Sequence, residues 1–219
     1  MIRCWPRPIK ANGCNFDFSK SFLFPGYVQS DIPVRLTKFC IEKATMEEMP
    51  HAPDSASVLH AFRKMKGSDA ALRNTADAAA LIVMNLPSCG SAYLYTYDNG
   101  LTFSVTKKSC AVGYYSFGHE IAHNFGCGHN REFTTNKVYV RVSKSDMLND
   151  VSFRIPHGHA FLIKAGNNKF GVRTILSYNM KGHSQRVNYY SNPKIIYPPT
   201  GTPTGTSDSD NASVFVIKR

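Results

Sequence analysis

The sequence predicts an α/β fold, and three stretches in the first half of the chain lead to this prediction. In Ser55–Lys66, apolar residues recur at helical spacing after an Asp or Ser start, so a helix is expected there. Ala80–Asn85 is a continuous apolar run, which is typical of a buried strand. Tyr93–Tyr97 and Leu101–Thr106 flank Asp98-Asn99-Gly100, a turn sequence that predicts a β-hairpin.

The other predicted elements are shorter. Ile32–Thr37 alternates apolar and polar residues and is a predicted strand. Three further strand segments are expected in the second half of the chain, the last two as a pair: Val138–Val142, Phe153–Ile163 and Lys169–Leu176. Pro198–Asp210 is dense in Pro, Gly, Ser and Thr and is a predicted loop, and Ser213–Arg219 is the predicted start of a helix.

The most specific pattern of the chain is H-E-I-A-H-N-F-G-C-G-H, which begins at His119. A helix is predicted over Tyr114–Phe125, and on it His119 and His123 project from one face because they are four residues apart. Gly126 can end this helix in a left-handed conformation. The chain then turns back and can bring His129 to the same point. The pattern therefore predicts three histidine ligands for one Zn²⁺.

The number of ligands indicates what the metal would do. Three protein ligands leave a fourth position for water, which is the arrangement of a catalytic zinc site. Glu120 lies beside the histidines, where it can reach a metal-bound water. We therefore predict that Glu120 takes a proton from this water as general base.

The long motif resembles that of the metzincin clan of zinc endopeptidases, and other segments resemble its reprolysin-like (adamalysin-like) members. These segments are residues 76–84, 89–93, 101–106, 173–178 and 189–193. The resemblance as a whole covers Ser30–Ala212. It implies a metzincin catalytic domain with a mixed twisted sheet and an active-site helix. The expected organisation is one metalloprotease domain over residues 1–219, with an atypical N-terminal segment (1–29), an upper lobe (30–126) and a smaller, irregular lower lobe (127–219) that carries the third ligand and a Met-turn-like segment.

Two residues depart from the pattern of the family. Leu176 stands where relatives carry the methionine of the Met-turn, a near volume-conserving replacement that would keep a hydrophobic floor beneath the zinc. Asn130 stands where reprolysins usually carry Asp. Tyr178 matches a tyrosine that astacins and serralysins place near the zinc, where it can assist the oxyanion; core packing is the alternative role.

Six cysteines, at positions 4, 14, 40, 89, 110 and 127, suit the disulfides of a secreted protein. The resemblance places Cys89 and Cys110 on neighbouring segments, which implies that they pair. Cys127 lies inside the zinc motif, and disulfide, thiol and metal ligand remain open for it. Asn211-Ala212-Ser213 is a glycosylation sequon, which has meaning only in a secreted protein.

Charge and hydropathy limit the partners that the protein can have. The chain has 26 Lys and Arg against 15 Asp and Glu, a formal charge of +11, but the basic residues are scattered and no nucleic-acid motif is present. No stretch is long enough to span a membrane. We predict a secreted, extracellular monomer that binds a peptide extended along an edge strand, Leu101–Thr106. No signal peptide is visible, and we expect that the true N-terminus is missing.

Two other functional classes compete with a zinc endopeptidase. The first is a weak or inactive metzincin-like scaffold that binds protein partners; the intact ligands and Glu120 argue against it, and the anomalies at Leu176 and the N-terminus favour it. The second is a zinc deaminase, which places its catalytic Glu in H-x-E and needs a distant C-x-x-C. This sequence has no C-x-x-C.

Overall fold

A computed structural model describes residues 2–3, 24–33, 37–38, 54–70, 72, 76–94, 102–130, 160–163, 171–180 and 185–217. Their contacts group the chain into two units. The N-terminal unit comprises Met1–Tyr27 and Pro33–Asn124, and the C-terminal unit comprises Val28–Ile32 and Phe125–Arg219. The lobe boundaries expected from the sequence stay a prediction.

The N-terminal unit contains a five-stranded mixed sheet in the order β2-β1-β3-β5-β4. Its strands are β1 (Ile2–Arg3), β2 (Thr37–Lys38), β3 (Ala78–Val83), β4 (Gly90–Ala92) and β5 (Thr102–Lys107). β3 and β5 run parallel along six residue pairs, whereas β4 pairs with β5 antiparallel. The prediction of an α/β fold with a mixed sheet is therefore confirmed, and the predicted strand at Ala80–Asn85 begins two residues earlier.

The prediction that Leu101–Thr106 forms the edge of this sheet was wrong. β5 is paired on both sides, since Val105 lies opposite Leu81 of β3 and opposite Ser91 of β4. The reason is that the first strand of the hairpin lies outside the second, so β4 is the outer described strand on this side of the sheet and β2 is the outer one on the other. The pairing of this hairpin was predicted, but its first strand lies at Gly90–Ala92 and its turn lies outside the described residues.

The expected atypical N-terminal segment also contributes regular structure. Ile2–Arg3 pairs antiparallel with both β2 and β3, and a helix α1 covers Phe24–Gln29. A two-residue strand joins a sheet through backbone hydrogen bonds alone, so no alternation in the sequence could reveal it. Of the predicted strand Ile32–Thr37, the described residues Ile32 and Pro33 are not in a strand, and Thr37 begins β2.

Helix α2 covers Ser55–Lys66, the range that apolar spacing predicts. The Asp54 side chain accepts a hydrogen bond from the Ser57 backbone N–H at 2.7 Å and so caps the first turn. The buried face of the helix includes Phe62, whose ring packs edge-on against Phe103 of β5 with centroids 5.4 Å apart. After β5 the chain forms a short helix α3 (Lys108–Ala111) and then helix α4 (Ser116–Phe125).

The C-terminal unit has short elements. A three-stranded sheet in the order β6-β7-β8 consists of β6 (Leu162–Ile163), β7 (Val172–Arg173) and β8 (Gln185–Arg186). β9 (Ile196–Tyr197) and β10 (Thr202–Pro203) form a hairpin, and helix α5 covers Asn211–Ile217. The predicted pairing of residues 153–163 with 169–176 is confirmed as β6 with β7. The predicted strand Val138–Val142 lies outside the described residues.

Two expectations for the last part of the chain need only small changes. The predicted loop over residues 198–210 is largely turns, but it contains β10 and a bridge between Thr206 and Ser209. The helix expected from Ser213 begins two residues earlier, at Asn211. It buries Phe215 against Tyr190, with ring centroids 5.1 Å apart, in the core of the C-terminal unit. None of the described helices is long and apolar enough to cross a membrane.

Candidate metal centre and active site

Helix α4 carries the first half of the histidine motif. It begins at Ser116 rather than at the predicted Tyr114, because Tyr115 has a positive φ of 54° and closes a turn with Val112. The Tyr115 carbonyl then accepts the hydrogen bond of the His119 N–H at 3.0 Å. The helix ends at Phe125, and Gly126 adopts a φ of 101°, the left-handed conformation that the sequence predicts.

The structure brings the three predicted histidine ligands together. His119 and His123 are both buried, and their Nε2 atoms lie 3.1 Å apart. This separation is close to the roughly 3.3 Å expected for two nitrogens that bind one zinc tetrahedrally. The ligand atoms of His119, His123 and His129 all lie within 4.8 Å of one another. Among the described residues, this is the group of His, Cys, Asp and Glu side chains that can hold a metal ion.

The loop that carries His129 is anchored by the C-terminal helix. The Cys127 thiol donates to the carbonyl of Asn211 at 3.5 Å, and the Asn211 side-chain amide donates to the carbonyl of Gly128 at 3.4 Å. The same Gly128 carbonyl accepts the N–H of Ala160 at 3.1 Å. The buried Cys127 therefore supports the loop that carries His129. Sequence reasoning missed Asn211 as a supporting residue because it is 83 positions from Gly128.

The sequon that begins at Asn211 is closed by the fold. Asn211 has no exposed surface, and its backbone N–H is bonded to the Ser191 hydroxyl at 2.9 Å. A glycan attaches to the side-chain amide nitrogen, which here lies against the Gly128 carbonyl. The sequon is therefore inaccessible in the folded protein.

The residue after the third histidine links this loop to the Met-turn-like segment. Asn130 is fully buried, and its side-chain oxygen accepts the backbone N–H of Tyr178 at 2.9 Å. This contact needs only an acceptor oxygen, which an amide provides without the cost of burying a carboxylate charge. Asn130, in place of the usual Asp, therefore still links the loop that carries His129 to Tyr178.

Tyr178 and Leu176 have different surroundings. The Tyr178 ring lies 4.1 Å from the His129 ring, between centroids, and retains 36% of its exposure. The alternative that Tyr178 packs in the core is therefore wrong. Leu176 is fully buried, as a hydrophobic replacement of the methionine requires.

Glu120 is buried on helix α4 and packs against the first residue of β4. A Cβ atom placed on Gly90 would lie 2.6 Å from Oε1 and 2.7 Å from Cγ of Glu120. Such distances are far shorter than ordinary van der Waals contacts of about 3.5 Å. The sequence motif identifies Glu120, but it contains no signal for this neighbour, which lies thirty residues earlier in the chain.

Two further links hold α4 and β4 in the N-terminal unit. The buried Asn124 side chain donates to the carbonyls of Tyr93 and Phe103, at 2.8 and 3.0 Å. Cys89 and Cys110 form the disulfide that the resemblance implies, with Cα atoms 5.5 Å apart. The motif therefore lies on a helix tied to the hairpin by side-chain bonds that its spacing does not reveal.

Two arginines lie beside the segment that carries Tyr178. Arg173 and Arg186 are neighbours across the β7–β8 pair, and both donate to the Ser177 carbonyl, at 2.6 and 3.3 Å. Burial lowers the pKa of the Arg173 guanidinium from its ordinary value, but a guanidinium titrates so high that it keeps its charge at neutral pH. The two guanidinium groups thus bond to the residue that precedes Tyr178, whose ring contacts His129.

Comparison with known proteins places this site in context. Residues 18–191 match the family model Reprolysin_5, described as metallo-peptidase family M12. A peptidyl-Asp metalloendopeptidase of Stenotrophomonas maltophilia (strain K279a) is 33% identical over 150 residues, which cover 66% of this chain and 31% of the relative. The enzyme of the same name from strain R551-3 is 29% identical over 201 residues, which cover 87% of this chain and 42% of the relative.

A third relative of that name, from Pseudomonas fragi, is 34% identical over 93 residues, which cover 42% of this chain and 51% of the relative. The chain thus spans between about a third and a half of the length of these relatives. A solved chain described as "Structure of a chaperone-substrate complex" is similar at a TM-score of 0.50 and 17% identity, over 76% of this chain and 24% of that one. At this identity the likeness concerns the fold alone.

Proposed function

Because the chain belongs to the M12 family of reprolysin-type metallopeptidases, we propose that it is a zinc-dependent endopeptidase that hydrolyses peptide bonds. The observation that carries this proposal is the convergence of His119, His123 and His129 beside Glu120. Histidine nitrogens are ligands that zinc prefers, and three of them suit a catalytic rather than a structural ion.

The three histidines would hold the zinc, and the two on α4 are already oriented by the helix. When bound, zinc polarises the substrate carbonyl and lowers the pKa of a water toward about 7. His129 keeps its place through contacts on both sides: its loop is bonded to Asn211 and its ring contacts Tyr178. These contacts would hold the third ligand in place and so limit the entropy lost on metal binding.

Glu120 is the general base in this proposal. Its carboxylate accepts a proton from the attacking water and delivers it to the nitrogen of the leaving amine. The residue is 6% exposed, so few bulk waters compete for the carboxylate. Tyr178 is available as a hydroxyl donor to the developing oxyanion, because its ring lies beside His129 and remains partly exposed.

The substrate would bind as an additional strand on the outer side of β4, not on β5. β5 uses both of its edges within the sheet, whereas β4 is paired on one side among the described strands. An extended peptide added there gains main-chain hydrogen bonds with little demand on its side chains. Gly90, at the start of β4, lies against Glu120, so a peptide on this strand would pass close to the base.

The proposed substrate class is peptides cleaved at Asp, after the activity in the names of the relatives. Arg173 and Arg186 support this choice, because paired guanidinium groups favour a carboxylate and can bind it in a bidentate manner. Both bond to Ser177, next to Tyr178. In a peptide pair that differs only by Asp or Asn, we expect the Asp peptide to have the higher kcat/KM by at least about tenfold.

The variants Arg186→Gln and Lys194→Gln test this specificity. The first should reduce the preference for Asp over Asn, because it removes one of the two charges beside Ser177. Lys194 is an exposed residue of the same unit and serves as the control. Equal cleavage of both peptides by the wild type would exclude the Asp-directed activity but leave the endopeptidase proposal intact.

The endopeptidase proposal is tested with zinc analysis and a casein or peptide digest. Glu120→Gln should retain stoichiometric zinc and lose turnover, and His123→Ala should lose the zinc itself. His60→Ala is the matched control, since His60 is an exposed histidine of the same unit. Near-normal activity of Glu120→Gln would show that the assignment is wrong. Zinc binding without cleavage of any substrate would favour the scaffold alternative.

An extracellular location and a monomeric state belong to the same proposal. The Cys89–Cys110 disulfide supports an oxidising compartment, where such bonds persist. Secretion of the full-length protein into the medium, followed by size-exclusion chromatography with light scattering, would test both points.

A further inference from the structure

We propose that Gly90 is a positioning residue for Glu120: the absence of a side chain at the start of β4 creates the space that holds the carboxylate in place. This inference rests on the proposed function, because it assigns a partner to the proposed base. Gly90 would touch neither the substrate's reacting atoms nor the metal, so it acts through Glu120.

The requirement for glycine at this position is one of space. Gly90 has the backbone geometry of a strand, without a positive φ, and any residue can adopt that conformation. A Cβ atom at this point would lie 2.6 Å from Glu120 Oε1, 2.7 Å from Glu120 Cγ and 2.7 Å from the Val105 carbonyl oxygen. To reach ordinary contact the carboxylate oxygen would have to move by about 0.9 Å.

The strand on one side of this contact is held firmly. Gly90 pairs with Thr106, and its carbonyl accepts the Ser88 hydroxyl at 2.9 Å. The preceding residue, Cys89, accepts the Lys107 N–H at 2.9 Å through its carbonyl and is joined to Cys110 by the disulfide. β4 therefore has little freedom to retreat from a larger side chain at position 90.

The helix on the other side is held as well. Asn124 lies one turn after Glu120 and bonds to the carbonyls of Tyr93 and Phe103, which belong to the same hairpin as Gly90. A methyl group at position 90 would consequently displace the Glu120 side chain rather than separate the two elements. A displacement of this size at a catalytic group can reduce the rate by about a hundredfold.

The first experiment measures stability without metal, so it does not depend on the proposed activity. In the metal-free protein, Gly90→Ala should lower Tm by about 5 °C, as overpacking does. In the Glu120→Ala background the same substitution should lower Tm by less, because the two close contacts with Glu120 are gone and the contact with the Val105 carbonyl alone remains. Equal losses in both backgrounds would overturn the proposal, since the Val105 carbonyl would then be the cause.

The design also covers a variant that does not fold. If Gly90→Ala is insoluble but the double variant Gly90→Ala/Glu120→Ala folds, the proposal is supported, because removal of the Glu120 side chain rescues the fold. If both fail, the proposal is overturned. Gly113→Ala is the matched control: a Cβ atom placed on Gly113 would meet nothing within 4 Å, so its substitution should not change Tm in either background.

The second experiment uses the zinc-loaded enzyme. Gly90→Ala should keep zinc content and KM within about twofold of the wild type, and kcat should fall about a hundredfold. A rise in KM with unchanged kcat would assign Gly90 to peptide binding and overturn its positioning role. If wild-type activity were absent, the stability experiment would still decide whether Gly90 confines Glu120.

Discussion

Replacement of Asn124 by Ala should lower the free energy of unfolding by much more than the replacement of an average surface residue does. The side chain is 2% exposed and donates two hydrogen bonds, to the carbonyls of Tyr93 and Phe103. Phe103 keeps a second bond from the Tyr93 N–H at 3.2 Å. The truncation therefore removes two hydrogen bonds, and the buried Tyr93 carbonyl loses the donor that Asn124 supplies.

The magnitude follows from these contacts. Two hydrogen bonds contribute about 1 kcal/mol each, and a poorly satisfied buried carbonyl adds about another 1 kcal/mol, so the loss should be near 3 kcal/mol. For a chain of this length 1 kcal/mol corresponds to roughly 2–4 °C in Tm, so Tm should fall by about 6–12 °C. Asn124→Asp should be worse than Asn124→Ala, because a carboxylate would face two carbonyl oxygens without a proton to donate.

Urea denaturation followed by circular dichroism on the metal-free protein measures this loss. Asn85→Ala is the matched control, since Asn85 is exposed two residues after β3 and its substitution should stay within about 0.5 kcal/mol. A loss below about 1 kcal/mol for Asn124→Ala would refute the view that this side chain ties the helix to the hairpin. So would an Asp variant as stable as the wild type.

Three further predictions concern the rest of the molecule. Joint replacement of Cys89 and Cys110 by Ser should lower the free energy of unfolding, measured by urea titration, by about 3 kcal/mol, as expected for a bridge across 21 residues; an unchanged free energy of unfolding would contradict a stabilising role of this bridge. Expression in a glycosylating host should leave Asn211 unmodified in the folded protein, because its amide is buried; a glycan detected there by mass spectrometry would contradict the structure. The N-cap bonds from Ser57 lower the pKa of Asp54. These bonds therefore stabilise the folded state at pH values above the pKa that Asp54 has in the unfolded chain, and this stabilisation is lost as the pH falls through the pKa of Asp54 in the folded protein. Asp54→Asn keeps a cap and should flatten the pH dependence of stability measured by urea titration below about pH 5.

The sequence predicts best what is encoded locally. Helix α2 and the histidine motif depend on residues three to ten positions apart, so spacing alone identifies them. The edge of the sheet was predicted wrongly because the choice between β4 and β5 depends on which strand joins β3, a contact between residues 24 positions apart in the chain. The local pattern of either strand cannot decide this, because the strand order depends on that distant contact.

The supports of the site were missed for the same reason. Gly90, Asn124 and Asn211 are small or amide residues without periodicity, and the parts of the site that they support lie between 21 and 84 positions away. A glycine in a strand or an asparagine at a helix end has many possible explanations in a sequence. Only the three-dimensional arrangement assigns each of them to one neighbour.

The anchoring of the His129 loop by Asn211 has a consequence for biosynthesis. Cys127 and Gly128 take their bonds from a residue that is added to the growing chain more than eighty positions later. At ribosomal rates of about 5–20 residues per second, several seconds separate the synthesis of the third histidine from the arrival of its support. During that interval the nascent polypeptide has a helix with two histidines but no fixed third one. The timing of translation thus delays the anchoring of the His129 loop until Asn211 has been added.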